Sequence, residues 1–287
     1  MAVKNYLSLI KFSHTVFALP FALIGYFYAI QTTEAHFSWR LFVSVLLCMV
    51  FVRSAAMAFN RYLDRDIDAA NPRTAAVREI PAGIITPRSA LIFVIVNSLL
   101  FVITTRFIND LVFYLSPIAL LITLGYSYTK RFTALCHLVL GLGLSLAPIG
   151  TFLAVTSSFA WVPIWFGVAV LTWVGGFDII YSLQDDTFDK EQNLHSMPVL
   201  LNLRGALRLS SMLHLITAFA LATAGWSGNF AWFYWAGFLF FMLMLFRQHL
   251  LVNPNDLSKV NIAFMTTNGV ASVVFGAAVI LDLFLYR

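Results

Sequence analysis

The chain has 287 residues, of which 60% are hydrophobic and only 11% are charged, and its mean hydropathy is +0.84. Because soluble domains carry about 25% charged residues, this composition excludes a soluble globular protein and indicates an integral membrane protein. The 18 Lys and Arg residues outnumber the 13 Asp and Glu residues, which gives a formal net charge of +5. The two cysteines, Cys48 and Cys136, are too few for a disulfide framework.

Apolar runs long enough to cross a membrane recur along the chain. A spanning helix needs roughly 20 apolar residues, whereas barrel strands would show alternation. We therefore predict an all-α integral membrane protein, a single polytopic domain over residues 1–287, without a cleavable signal peptide. The nine predicted transmembrane helices cover residues about 15–31, 41–60, 88–105, 109–127, 134–154, 162–182, 206–225, 229–246 and 263–284.

The basic residues predict the orientation of these helices. With the N-terminus inside, fourteen Lys and Arg residues fall in cytoplasmic segments and three outside, while Arg53 lies within a span. This asymmetry is the positive-inside pattern of multi-pass membrane proteins. It accounts for the net charge through topology and anionic lipid, so we expect the lipid bilayer as a partner and no nucleic acid.

Acidic residues concentrate in two segments, at about 60–87 and at about 183–205. The second group also includes Asp178, at the end of the span that precedes it. Each segment follows an even-numbered span and is therefore expected to be a cytoplasmic, Asp-rich loop. In each segment the acids repeat at four-residue spacing, which on a helix places them on one face, about 6 Å apart along the axis. The residues in this pattern are Asn60, Asp64 and Asp68 in the first segment and Asp178, Tyr181, Asp185 and Asp189 in the second.

Paired carboxylates of this kind suit Mg²⁺, which is bound by one or two carboxylates, several waters and substrate phosphates. We predict Asp64, Asp68, Asp185 and Asp189 as metal ligands, with Asn60 beside them in a diphosphate site. Four cations in the intervening segments, Arg73, Arg78, Lys130 and Arg131, are predicted to hold the remaining phosphate oxygens. Metal and cations together would make pyrophosphate a good leaving group.

The motifs occur in an order typical of one known family. They read N-x-x-x-D-x-x-x-D followed by NPRTAAVREIPAG in residues 60–83, Y-x-x-x-K-R at 126–131, and D-x-x-Y-x-x-x-D-x-x-x-D at 178–189. Together with HTVFALPFA at 14–22, they resemble the motifs of UbiA-type membrane prenyltransferases over residues about 12–205. The last three predicted helices match that family only in hydropathy.

The resemblance implies nine helices around a central cavity, capped by the Asp-rich loops. It further implies an allylic polyprenyl diphosphate donor, Mg²⁺, and an aromatic acid acceptor of quinone biosynthesis, joined by electrophilic aromatic substitution. Lys130, Arg131, Asp178 and Tyr181 are the expected catalytic residues, and Asp178 is expected either to accept the ring proton or to anchor a cation.

Two departures from the familiar family pattern bear on the acceptor. Glu79 replaces a proline, and His195 in NLHSMP replaces a basic residue. Both resemble the bacterial branch of 4-hydroxybenzoate polyprenyltransferase-like proteins, which implies the bacterial inner membrane. A menaquinone-type naphthoate acceptor stays open, because some members of that branch serve menaquinone synthesis.

Two other classes of membrane protein are weaker readings. A CDP-alcohol phosphotransferase would need one compact run containing D-G-x-x-A-R, which the chain lacks. A transporter would place its acids near span centres. Arg53 is expected to pair with a motif aspartate or to contact substrate. His14 is expected to pack, His195 to cap a loop, and the remaining histidines to have no metal-binding role.

Overall fold

The computed structural model describes residues 2–11 and 15–286, so the expectation for His14 lies outside the described residues. The α-helices within this part of the chain are α1 (Ala2–Leu9), α2 (Thr15–Thr32), α3 (Trp39–Leu63), α4 (Arg65–Ala70), α5 (Pro87–Arg106), α6 (Asp110–Thr129), α7 (Cys136–Thr156), α8 (Trp161–Ser182), α9 (Asp186–Glu191), α10 (Met197–Ser227), α11 (Trp232–Leu251) and α12 (Asn268–Tyr286). A 3₁₀ turn (Leu183–Asp185) joins α8 to α9, and a π-helical turn (Ile262–Thr267) precedes α12.

Nine helices among the described residues are long and apolar enough to cross a membrane, which confirms the predicted number. The largest boundary difference concerns the seventh, α10, which begins at Met197 rather than near 206. Asn202 interrupts it with φ 58° and ψ 173°, outside the helical region. Its Oδ1 accepts the backbone N–H groups of Arg204 and Gly205, both at 3.1 Å, and so caps the helix that follows the interruption.

The described helices group into two compact units. The first unit comprises Met1–Thr15 and Trp39–Tyr128, and in it α3 packs against α5 and α1. Its core includes Leu9, Ala58 and Val94, all buried, and the rings of Tyr6 and Phe93 stack at 4.8 Å beside them. The end of α1 is thereby fixed against the helix that leads into the first acidic motif.

The second unit comprises Val16–Ser38 and Thr129–Arg287, with α8 packed between α7 and α10. Gly141 permits the close approach of α7 and α8, because a Cβ there would collide with the carbonyl oxygen of Leu171. At its centre, the indole Nε1 of Trp173 donates to Asn268 Oδ1 at 2.8 Å. Asn268 in turn donates to the Ala263 and Phe264 carbonyls, which belong to the π-helical turn. The polar side chains of Trp173 and Asn268 at this centre are therefore hydrogen-bonded.

Candidate active site

The first acidic cluster forms where α3 passes into α4. Asp64 interrupts the helix with φ −86° and ψ 5°. Backbone hydrogen bonds nevertheless continue across the junction, from Asp64 N to Asn60 O at 2.9 Å and from Asp68 N to Asp64 O at 2.7 Å. The three side chains thus stay on one face, as their four-residue spacing predicts. The predicted loop at 60–87 is partly helical, because α3 runs to Leu63 and α4 follows at once.

Both carboxylates of this cluster are buried: Asp64 is 2% exposed and Asp68 is 3% exposed. Asn60 Nδ2 donates to Asp64 Oδ2 at 3.0 Å, and Arg78 Nη1 forms an ion pair with Asp68 Oδ1. The other oxygen of Asp68, Oδ2, is buried and has no hydrogen-bond partner among the described residues. A buried carboxylate oxygen without a partner is costly, so this atom is a candidate ligand for a cation.

The segment after α4 folds back so that Arg78 reaches Asp68. The hydroxyl of Thr74 donates to the Asp68 carbonyl at 2.9 Å. Further along, the Glu79 carbonyl accepts the N–H groups of both residues after Gly83, at 2.9 and 3.0 Å. Gly83 has φ +70°, a left-handed conformation that glycine adopts without steric cost. The string NPRTAAVREIPAG therefore encodes a turn that positions its own arginine, Arg78.

Further charges surround this cluster within the first unit. Arg61 is 7% exposed and lies within electrostatic range of Asp68, Arg78 and Glu79. Glu79, which stands where the familiar pattern has proline, is 3% exposed and accepts a hydrogen bond from the Ser8 hydroxyl at the end of α1. The first cluster is thus a buried charge network rather than a solvated loop.

The expectation that Arg53 pairs with a motif aspartate is wrong. Its Nη2 donates to the Lys11 carbonyl at 2.9 Å and approaches the Ile10 carbonyl at 3.5 Å. These carbonyls follow the last turn of α1, where backbone acceptors have no intrahelical partner. The Nη2 group of the arginine is therefore bound by carbonyls at a helix end, a contact that sequence spacing alone does not indicate.

The second acidic cluster repeats the construction of the first. A long spanning helix, α8, passes through the 3₁₀ turn into the six-residue α9, and Asp185 stands at the junction with φ −104° and ψ 3°. Asp189 is the fourth residue of α9, as Asp68 is the fourth residue of α4. On the same short helix α9, Asp186 forms an ion pair with Lys190 at 2.7 Å. In each cluster, one aspartate precedes a short helix and the other lies on its first turn.

Lys130 and the residues around His195 belong to this second cluster. The backbone N–H of His195 donates to the Lys130 carbonyl, and that of Leu194 donates to the Asp189 carbonyl, both at 2.8 Å. The Asp189 carboxylate lies within electrostatic range of Lys130 and Asp185. His195 acts here through its backbone while its side chain is exposed, and Arg131 is exposed as well. Tyr126, from the same sequence motif as Lys130, belongs to the first unit, within electrostatic range of Arg53.

Asp178 has a partner that sequence reasoning missed. His137 Nδ1 lies 2.7 Å from Asp178 Oδ2, and the histidine is almost fully buried. The two residues are 41 positions apart on α7 and α8, so no motif spacing joins them. The available signal was that each is a polar residue within an apolar span, where such residues usually pair. Tyr181, one turn after Asp178, packs its ring against Phe264 with 4.3 Å between centroids.

Each acidic cluster has the donor set of a hard cation. The ligands on offer are carboxylate oxygens, and the buried Asp68 Oδ2 is without a partner among the described residues. No group of three or more His, Cys, Asp or Glu side chains in the described part of the chain is arranged to hold a metal by itself. Mg²⁺ retains several waters and binds substrate phosphates through one or two carboxylates, so the oxygen pairs fit it better than a complete protein cage would.

Comparison with known proteins identifies the family. The sequence profile of the UbiA prenyltransferase family matches residues 18–270. A relative from Aeromonas salmonicida (strain A449) called 4-hydroxybenzoate octaprenyltransferase is 30% identical over 238 residues, which cover 83% of this chain and 81% of the relative.

Solved structures agree. The apo structure of a UbiA homologue from Aeropyrum pernix K1 superposes with a TM-score of 0.84 at 29% identity, covering 94% of this chain and 98% of the other. A UbiA homologue from Archaeoglobus fulgidus, bound to DMAPP and Mg²⁺, has the same fold with a TM-score of 0.72 at 21% identity, covering 98% and 99% of the two chains. The profile match over most of the chain shows that this multi-pass membrane protein belongs to the UbiA prenyltransferase family.

Proposed function

We propose that the protein transfers a polyprenyl group from an allylic polyprenyl diphosphate to an aromatic acid, 4-hydroxybenzoate or a related carboxylated quinone precursor, and releases diphosphate. Support comes from the name of the Aeromonas salmonicida relative and from the DMAPP and Mg²⁺ bound to the Archaeoglobus fulgidus homologue. The observation that carries the proposal is the repeated construction of the two acidic clusters. A chain with so few charges places two matched aspartate pairs where long apolar helices end.

Binding of the diphosphate is assigned to residues of both clusters. Asp64 and Asp68 from the first unit and Asp185 and Asp189 from the second would hold Mg²⁺, which when bound neutralises the diphosphate and favours its departure. Charge-assisted hydrogen bonds from Arg73, Arg78, Lys130 and Arg131, and the amide of Asn60, would hold the remaining phosphate oxygens. The ion pair between Arg78 and Asp68 holds this arginine beside the acidic pair before substrate arrives.

Transfer then breaks a C–O bond and a C–H bond, and it forms a C–C bond and an O–H bond on the proton acceptor. The C–O bond of the allylic diphosphate breaks with its electron pair leaving on diphosphate, and a ring carbon of the acceptor bonds to C1 of the prenyl cation. The proton on that ring carbon passes to Asp178, which restores the aromatic ring. Asp178 suits this role because Oδ2 is held by His137, while Oδ1 has no hydrogen-bond partner among the described residues and the side chain is 23% exposed.

Tyr181 and Asp185, which follow Asp178 along the chain, can assist the transfer. Tyr181 lies one turn from Asp178, and an aromatic face next to a prenyl cation stabilises its charge. Asp178 and Asp185 are separated by about 12 Å along the path of α8 and the 3₁₀ turn, from the rise per residue of the two helix types. This separation allows Asp178 to accept the proton from the acceptor ring while Asp185 contributes to binding the departing diphosphate.

Orientation in the membrane completes the proposal. We propose that the N-terminus and both acidic clusters face the cytoplasm at the bacterial inner membrane, because the positive-inside pattern of the sequence assigns fourteen of the 18 Lys and Arg residues to that side. In this orientation, the diphosphate group and the aromatic acid would reach the clusters from the cytoplasm, and the isoprenoid tail would lie in the lipid.

The proposal is tested by incubating the purified protein in lipid with Mg²⁺, a polyprenyl diphosphate and one acceptor at a time, followed by mass spectrometry. The acceptors are 4-hydroxybenzoate, a dihydroxynaphthoate and homogentisate. We expect a C-prenylated product with 4-hydroxybenzoate that disappears in Asp64→Asn and Asp185→Asn but persists in Asp110→Asn, an exposed residue paired with Arg106.

Three results would count against the proposal. Product from the naphthoate alone would redirect the acceptor to the menaquinone type. Absence of product with every acceptor, together with substrate flux across vesicles containing the protein, would favour a transporter. Near-normal turnover by both aspartate variants would remove their role in metal binding.

A further inference from the structure

Asp178 is a carboxylate with one fixed oxygen inside a membrane-spanning helix. Its Oδ2 lies 2.7 Å from His137 Nδ1, and among the described residues this is its only hydrogen bond. A carboxylate in an apolar span is costly unless it is paired, so the histidine stabilises its charged form. The two residues come from neighbouring helices α7 and α8 that pack closely at Gly141.

The other ring nitrogen of His137 fixes which tautomer is present. The backbone N–H of Met197 points to His137 Nε2 at 3.3 Å. Since a backbone N–H can only donate, Nε2 must accept, and in the neutral imidazole the proton then resides on Nδ1. The ring therefore donates to Asp178 from Nδ1 and cannot rotate without losing both hydrogen bonds.

Exposure shows which member of the pair can reach a substrate. The side chain of His137 is 4% exposed, whereas that of Asp178 is 23% exposed. Both ring nitrogens of the histidine are engaged, so it has no free atom with which to accept a proton. The free oxygen belongs to the aspartate, which makes the aspartate the outward member of the pair.

We propose that His137 is a positioning residue for prenyl transfer: it holds Asp178 Oδ2 so that Oδ1 is presented to the acceptor as proton acceptor. This inference rests on the proposed function, in which the ring proton passes to Asp178. The start of α10 shares in the arrangement, because Met197 provides the donor that sets the ring. The segment from the second acidic cluster to α10 is thereby connected to the proton acceptor.

Two substitutions of His137 each remove one of its two hydrogen bonds and keep the other. In His137→Asn, the amide nitrogen occupies the position of Nδ1 and keeps a donor toward Asp178, but the contact with Met197 is lost. In His137→Gln, the amide reaches the position of Nε2 and keeps an acceptor for the Met197 N–H, but the donor toward Asp178 is lost. The pair is matched in chemistry and differs in which contact survives.

We expect His137→Gln to lower kcat about ten- to one-hundredfold with KM for both substrates little changed, since a hydrogen bond to a charged group is lost. His137→Asn should lose at most about fivefold, although its thermal stability should fall more than that of the glutamine variant. A role confined to folding predicts the reverse: the asparagine variant, which detaches α10, would be the poorer enzyme, or the two would be equal per folded molecule. Either of those outcomes overturns the inference.

Asp178→Asn, measured in parallel, distinguishes the inference from the proposed function. It should lower kcat by about 10²- to 10⁴-fold, the usual contribution of a general base. If Asp178→Asn retains kcat, the proposed role of Asp178 fails. If Asp178→Asn is impaired and His137→Gln matches the wild type, the role of Asp178 stands and that of His137 is rejected.

Discussion

Removal of Arg78 should destabilise the first acidic cluster strongly. The side chain of Asp68 is buried, its Oδ1 is paired with Arg78, and its Oδ2 is already without a partner among the described residues. Arg78→Met would leave a buried carboxylate without an ion-pair partner among the described residues. Breaking a buried ion pair in this way costs about 3–5 kcal/mol in the free energy of unfolding. For a protein of this size, a loss in that range lowers the apparent Tm by about 10 °C.

Arg65→Met provides a matched control in the same segment. Arg65 pairs with Asp66 at 3.6 Å, but the two side chains are 36% and 82% exposed. Exposed ion pairs contribute about 0–1 kcal/mol, so the apparent Tm of this variant should fall by about 3 °C or less. Both are measured by thermal unfolding of protein purified in detergent. Equal shifts for the two variants would refute the argument that burial makes the Asp68–Arg78 pair important.

Three further outcomes are expected. Asp64→Asn should abolish prenyl transfer while Asp66→Asn, an exposed neighbour, keeps it; product formation by membrane fractions decides this, and equal activities would contradict it. Gly141→Ala should lower thermal stability by roughly 1–3 kcal/mol through overpacking, whereas Gly150→Ala, whose added Cβ meets nothing within 4 Å, should be neutral. Val77 is exposed and lies in the acidic segment that we propose to be cytoplasmic. In a background without native cysteines, Val77→Cys should therefore react with an impermeant thiol reagent in inside-out vesicles only. Labelling of intact cells would contradict the proposed orientation.

The helical spans are the part of the fold that the sequence predicts best. Apolar runs of about 20 residues have few alternatives to a spanning helix, because the bilayer offers no partner for backbone N–H and C=O groups. The predicted start of α10, at about residue 206, lies nine residues after the observed start, because hydropathy detects only the apolar part of a helix. Its first residues, around Asn202 and Arg204, are too polar to resemble a span, yet the helix begins at Met197 and is interrupted at Asn202.

Within the candidate site, sequence spacing predicts local relations and misses distant ones. The four-residue intervals place Asn60, Asp64 and Asp68 on one face because helical geometry fixes such neighbours. The partners of Arg53 and Asp178 could not be found in this way. Arg53 bonds to carbonyls near residue 11, and Asp178 bonds to His137, so both contacts depend on tertiary packing.

The central proposal is that Asp64 and Asp185 both contribute to the binding of a prenyl diphosphate with Mg²⁺. The most direct measurement is calorimetric titration of the protein in lipid nanodiscs with an unreactive prenyl thiolodiphosphate in the presence of Mg²⁺. We predict one ligand per chain and an affinity reduced more than about tenfold in both Asp64→Asn and Asp185→Asn, which corresponds to more than about 1.4 kcal/mol of binding free energy for each. Two ligands per chain, or wild-type affinity in either variant, would contradict the claim.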